Sequence, residues 1–155
     1  MANATTISKV RSLSDIEECV NLYYNLNDHS FITVSKEESI RRLSQKVRQQ
    51  KFVRLLIDDK NKIVAWIYCD VVKPDHSTEP QFQQMYYASN LKGIQAYKAV
   101  IKLHEAMIEE SKRLKVNLLV SYGSHMDEDY TFSRILEKNG WSRRGYVAVY
   151  KLNSI

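Results

Sequence analysis

The chain has 155 residues, of which 44% are hydrophobic and 26% charged, the ordinary composition of one globular domain and not that of a disordered chain. Four glycines and two prolines exclude collagen-like and low-complexity classes. The formal net charge of +5 suits nucleic acid, an acidic surface or an anionic cofactor, and suits an ordinary Lys-rich surface equally, so it decides between none of them.

In chain order, Thr5 to Val10 reads as a short strand. Ser12-Leu13-Ser14-Asp15 offers a cap, Ser14 with Glu17 matches a capping box, and Ile16, Val20, Leu22, Tyr23 and Leu26 recur at helical spacing behind it. Asn27 to Ser30 breaks that helix. Ser35 with Glu38 is a second capping box, opening a basic helix with a thin stripe of Ile40, Leu43 and Val47. Phe52 to Ile57 and Ile63 to Val72 are strand-like, and Asp58 to Lys62 between them reads as the turn of an antiparallel hairpin. Both runs are apolar on both faces, which predicts a sheet covered on both sides. Lys73 to Pro80 is a polar connection, and Gln81 to Ala88 alternates as a third strand.

After a loop from Ser89 to Gly93 comes the longest helical pattern, with Ala96, Val100, Leu103, Met107 and Leu114 on one stripe. Val116 to Tyr122 predicts a strand, Gly123 to Asp129 a loop and Tyr130 to Lys138 a short helix stopped by Asn139-Gly140. Tyr146 to Leu152 predicts a last strand. The order is strand, two helices, three strands, helix, strand, helix, strand. It predicts one α+β domain over residues 1–155 with a mixed sheet.

The sharp catalytic motifs are absent: there is no P-loop, HExxH, paired CxxC or GxSxG elbow. His29, His76, His104 and His125 show no ligand spacing, so no metal site is expected. The longest apolar run, Ile63 to Cys69, is far short of the roughly 20 residues a membrane helix needs. Met1 to Thr6 lacks an apolar signal core, and two cysteines, Cys19 and Cys69, cannot form a disulfide framework. The expected compartment is therefore a reducing cytoplasm.

What remains is the strand, loop and helix from Gln81 to Arg113. A loop that ends in Gly93 and opens into a helix presents unpaired backbone N–H groups, and these bind phosphate well with the helix dipole behind them. Gly93 lets the backbone approach an anion closely, and Lys92 adds a point charge.

With Asn90-Leu91-Lys92-Gly93-Ile94-Gln95 at that turn and Leu136-Glu137-Lys138-Asn139-Gly140-Trp141 near the end, the chain resembles the GNAT superfamily of N-acetyltransferases from about Thr5 to Leu152. The first stretch stands where the family has R/Q-x-x-G-x-G/A; Asn90 replaces the Arg or Gln, and Gln95 the small residue. The second stands where many members have Y-E-K-L-G-F. The resemblance implies a mostly antiparallel sheet of about six to seven strands flanked by about four helices. It also implies transfer of an acetyl group from acetyl-CoA directly to an amine, with no metal.

By the same resemblance, Met85, Tyr86 and Tyr87 would hold the acetyl and pantetheine arm, and Leu91, Lys92, Gly93, Ile94, Gln95 and Ala96 the pyrophosphate. Leu136 occupies the place of the family's proton-donating Tyr and cannot donate. Tyr130 and Tyr122 are the hydroxyls near it in sequence. Glu79 and Asp70 are the carboxylates nearest the strand that some members use for a base, and His29 is a further acceptor-side candidate. Strand tyrosines such as Tyr86, Tyr87, Tyr146 and Tyr150 suit packing, or an acceptor pocket that stacks on an aromatic substrate; packing is expected for most of them, and Tyr87, next to the place where the family opens its sheet, is the cleft candidate. The acceptor class stays open between a small molecule and a peptide amine. The resemblance admits a homodimer and requires no membrane partner. A catalytically silent CoA-binding module, or a partner- or nucleic-acid-binding module on the same fold, is the alternative reading.

Overall fold

A computed structural model describes residues 4–26, 35–121 and 131–142. Their order is β1 (Thr6–Ser8), α1 (Leu13–Leu26), α2 (Lys36–Arg48), β2 (Phe52–Ile57), β3 (Ile63–Val72), β4 (Gln81–Ser89), α3 (Gly93–Leu114), β5 (Leu118–Ser121) and α4 (Thr131–Lys138). The strands form one sheet in the order β1-β2-β3-β4-β5. Its first three pairings are antiparallel and β4–β5 is parallel, which is the mixed, mostly antiparallel sheet expected. Five strands stand against the six to seven expected; the predicted strand at Tyr146–Leu152 lies outside the described residues.

The apolar runs at β2 and β3 are buried on both faces, as their composition requires. On one face Leu55, Trp66, Tyr68 and Ala88 pack with Ile16, Cys19, Val20 and Tyr24 of α1 and Leu43 of α2. On the other, Leu56, Ala65, Ile67, Cys69 and Phe82 pack with Ala99, Leu103 and Met107 of α3. Leu103 and Met107 are fully buried; truncating such a side chain to Ala costs about 2–5 kcal/mol. Cys19 and Cys69 are both free and buried, and burial pushes both thiols well above the ordinary range.

The helix ends follow local chemistry, with one correction. Ser35 caps α2 as expected, its hydroxyl accepting from the Glu38 N–H at 3.2 Å. Ser14 does not cap α1, because the helix has already begun at Leu13. Asp15 does that work instead: its carboxylate accepts from the Arg11 backbone N–H at 2.7 Å and from the Arg11 guanidinium at 3.0 and 2.9 Å. A carboxylate in a first helical turn also meets the positive end of the helix dipole.

Leu136 to Trp141 forms a Schellman cap. The Trp141 N–H donates to Leu136 O at 3.1 Å and the Gly140 N–H to Glu137 O at 3.3 Å, with Gly140 at φ +94°. Trp141 then packs against the cluster of Val100, Ile135 and Leu136. The E-K-N-G-W signature is thus a folding device, which stops α4 and docks it on α3.

Candidate active site

The site is organised by an irregularity in β4. Tyr86 pairs with Tyr68 and Gln84 with Cys69, and the register shifts between Tyr68 and Cys69, leaving Met85 as the extra residue of a β-bulge. A bulge re-aims neighbouring side chains. Here Met85 and Tyr86 are 43% and 45% exposed although they lie in an interior strand. The parallel ladder with β5 runs beside them from Gln81↔Leu118 to Gln84↔Ser121.

Past the bulge, the side chains serve opposite faces. Tyr86 meets the α1 side, 5.3 Å from the Tyr23 ring centre and 6.1 Å from that of Tyr68. Tyr87 meets the α3–α4 side, 5.8 Å from His104 and 5.2 Å from Phe132. The Tyr87 hydroxyl oxygen is buried and makes no hydrogen bond of ordinary geometry. Burial raises its pKa, and the nearby Ser89 hydroxyl offsets only part of that rise.

β4 ends at Ser89, whose hydroxyl accepts from the Leu91 N–H at 3.1 Å. Gly93 then starts α3 at φ +62°, a conformation that favours glycine. Lys92 precedes it in extended conformation, and no side chain caps the helix. Its first-turn N–H groups are therefore available to an anion. A cavity of about 600 Å³ lies at this end, lined by Gly93, Ile94, Ala96 and Tyr97 of α3 and by Arg134, Ile135 and Lys138 of α4.

Arg134 and Lys138 were not singled out by sequence reasoning. They lie four residues apart, and so on one face of α4, but only the docking of α4 on α3 brings them to Gly93. That spacing, with α4 read as a helix, was the available signal. Three kinds of anion-binding group thus converge: free backbone donors, a flanking lysine and two cations on the facing helix. A bound anionic group such as a pyrophosphate fits the chemistry of this set.

Behind the bulge sits a buried polar chain that sequence reasoning also missed. His104 is 2% exposed. Its Nδ1 lies 2.8 Å from Val100 O; a carbonyl only accepts, so Nδ1 carries the proton. Nε2 lies 3.0 Å from the Ser121 hydroxyl, which lies 3.1 Å from Gln84 Oε1. Burial pushes the His104 pKa down to about 4, so the ring is neutral near pH 7. The chain ties α3 to the last observed β4–β5 pair.

Of the remaining expected residues, the described ones are engaged elsewhere. Leu136 is buried against Val100 and Ile135. Glu79 is exposed at the start of β4, six residues and roughly 20 Å of strand from Met85. Asp70 pairs with Lys51 at 3.1 Å and accepts from the Tyr68 hydroxyl at 2.9 Å. Burial pushes its pKa up, but these two partners hold it below the usual value, which makes it a poor base. Tyr122, Tyr130 and His29 lie outside the described residues. No group of His, Cys, Asp and Glu suited to a metal ion occurs among the described residues, and no helix there is long and apolar enough to cross a membrane.

This arrangement, a bulged β4 running into an uncapped helix beside a parallel β5, is the fold of the GNAT acetyltransferases. The chain matches an aminoglycoside antibiotic 6'-N-acetyltransferase from Acinetobacter baumannii with a TM-score of 0.68 at 13% identity, over 97% of this chain and 99% of that one. It matches a GNAT family acetyltransferase of Staphylococcus aureus with a TM-score of 0.60 at 16% identity, over 98% and 100%. It matches a predicted acetyltransferase of Clostridium acetobutylicum, solved with acetyl-CoA, with a TM-score of 0.63 at 14% identity, over 97% of each. At these identities the likeness is one of fold. By sequence, no family model and no curated protein matches the chain.

Proposed function

We propose that the protein is a divergent GNAT superfamily member, a single-domain N-acetyltransferase that moves an acetyl group from acetyl-CoA directly to an amine. The observation that carries this reading is the uncapped α3 terminus at Gly93, which follows the bulged β4 in the chain and shares a cavity with Arg134 and Lys138 of α4. In this reading the backbone of Met85 to Tyr87 holds the acetyl and pantetheine arm and Leu91 to Ala96 hold the pyrophosphate, with the two α4 cations neutralising its charge. The acetyl donor supplies an activated thioester carbonyl. A backbone N–H near the bulge stabilises the oxyanion that forms there, without reorganising, since the strand already holds it in place. The amine attacks in its neutral form and loses its proton to water, since no free carboxylate faces the bulge among the described residues.

Calorimetric titration with acetyl-CoA, and separately with CoA, tests the reading. Micromolar binding is expected, and no binding up to millimolar concentration overturns it. A second reading, a CoA-binding module without turnover, is favoured by one observation: Leu136 is buried and apolar where the resemblance places a proton donor. Acetyl transfer to any amine above the uncatalysed background removes that alternative.

A further inference from the structure

The α1 side of the bulge is paved with aromatic rings. Tyr86 projects from β4 with 45% of its surface exposed. Three rings hold it in place: Tyr23 edge-on at 5.3 Å, Tyr68 stacked at 6.1 Å with 20° between planes, and Trp66 tilted at 6.4 Å. Trp66 and Tyr68 are buried, so they fix the Tyr86 ring rather than compete with it for a ligand. Met85, beside Tyr86, adds a second exposed apolar surface; methionine adapts its shape to irregular partners and packs well on aromatic edges.

The charge of this floor is equally informative. A polycationic acceptor needs carboxylates, and among the described residues two of those nearest this floor are already engaged. The carboxylate on β3 at this face, Asp70, is already held by Lys51 and the Tyr68 hydroxyl. Asp15 on α1 is buried and held by Arg11. The anion-binding groups at Gly93, Arg134 and Lys138 lie on the opposite, α3–α4 side, which leaves the α1 side of the bulge for the acceptor.

We propose that the acceptor is an amine carrying an aromatic ring, which stacks on Tyr86 against Met85, and not a polyamine or another polycation. This rests on the acetyltransferase reading. The ring supplies the binding surface, and a short aliphatic tether places the amine nitrogen at the thioester. The nitrogen–carbonyl carbon bond forms and the carbon–sulfur bond breaks, with its electron pair leaving on the CoA sulfur. The proton from nitrogen passes to water.

The test uses the full chain with phenethylamine, ethylamine and spermidine as acceptors. With saturating acetyl-CoA, kcat/KM for phenethylamine is expected to exceed that for spermidine at least tenfold. Tyr86→Ala should raise the KM for phenethylamine tenfold or more and change the KM for ethylamine less than threefold; Tyr86→Phe, which keeps the ring, should restore the phenethylamine KM. A preference for spermidine overturns the proposal, as does an equal effect of Tyr86→Ala on phenethylamine and ethylamine. Failure of acetyl-CoA to bind sinks the enzyme reading instead. In that event phenethylamine binding to the wild-type chain, followed by ligand NMR, still tests the floor. Binding that Tyr86→Ala does not weaken overturns it.

Discussion

At its C-terminal end, α3 meets partners supplied by its own chain. The Glu110 carboxylate accepts from Arg113 Nε at 2.6 Å and lies 3.8 Å from the Arg54 guanidinium. Arg54 stacks over Phe52 at 4.3 Å. Lys115 closes the helix in the left-handed conformation, and the Val116 N–H donates to Ser111 O at 3.0 Å. At its N-terminal end the same helix has no side-chain cap, a glycine at φ +62° and an exposed isoleucine, Ile94. One end satisfies its valences from within; the other leaves donors unmet beside two cations. The unmet donors are exposed and open to water or to an anion, so the contrast is what the proposed phosphate site rests on.

Four perturbations test that contrast. The largest effect is expected midway along α3, at His104. Its folded-state pKa of about 4 lies below the ordinary value of 6.5. Between those values the unfolded chain binds a proton that the folded one refuses, so stability is full above pH 6.5 and falls as pH drops toward 4. The loss is roughly 3 kcal/mol, read by urea unfolding at a series of pH values. In His104→Gln, a weaker fold overall, this part of the pH dependence should disappear; an unchanged profile would mean that the imidazole is solvated.

Next comes the self-satisfied end. Glu110→Gln strips the half-buried Arg54 of its counter-charge, and burial already holds the Arg54 pKa down. A loss of about 2 kcal/mol is expected in denaturant unfolding, with acetyl-CoA binding unaffected. Lys92→Glu at the unmet end should do the reverse: little change in stability, and a roughly tenfold weaker Kd for CoA in calorimetry, since it reverses a charge beside the phosphate site. Unchanged affinity would displace that site. A stability effect smaller than that at Glu110 is expected at Gly93→Ala. Nothing lies within 4 Å of the added methyl, so the cost is the left-handed backbone alone, about 1 kcal/mol. CoA affinity should fall by more than that, because the methyl stands where the phosphate approaches the backbone.

Much of the architecture was legible in local patterns. The two-faced apolar runs of β2 and β3 announced a sheet covered on both sides. Ser35-Glu38 and Asn139-Gly140 marked their helix ends because caps are made by residues close in sequence. The Ser14–Glu17 match failed because α1 begins one residue earlier, at Leu13, which places Ser14 inside the helix. The sequence points to Tyr87 as the cleft tyrosine, whereas the structure buries its hydroxyl and leaves Tyr86 the exposed one. A single bulge decides which face each one serves, and a bulge is a property of register between two strands.

The sequence by itself determined the order of the described elements, the glycine turn that opens α3 at Lys92-Gly93 and the absence of a donor at Leu136. These rest on period, caps and residue chemistry, all written within a few positions. Tertiary structure alone decided that Arg134 and Lys138 face Gly93, that His104 is buried and neutral beside Ser121 and Gln84, and that Tyr86 lies open on an aromatic floor. Each of these joins residues far apart in the chain, and burial and juxtaposition exist only once the sheet and its covering helices have packed.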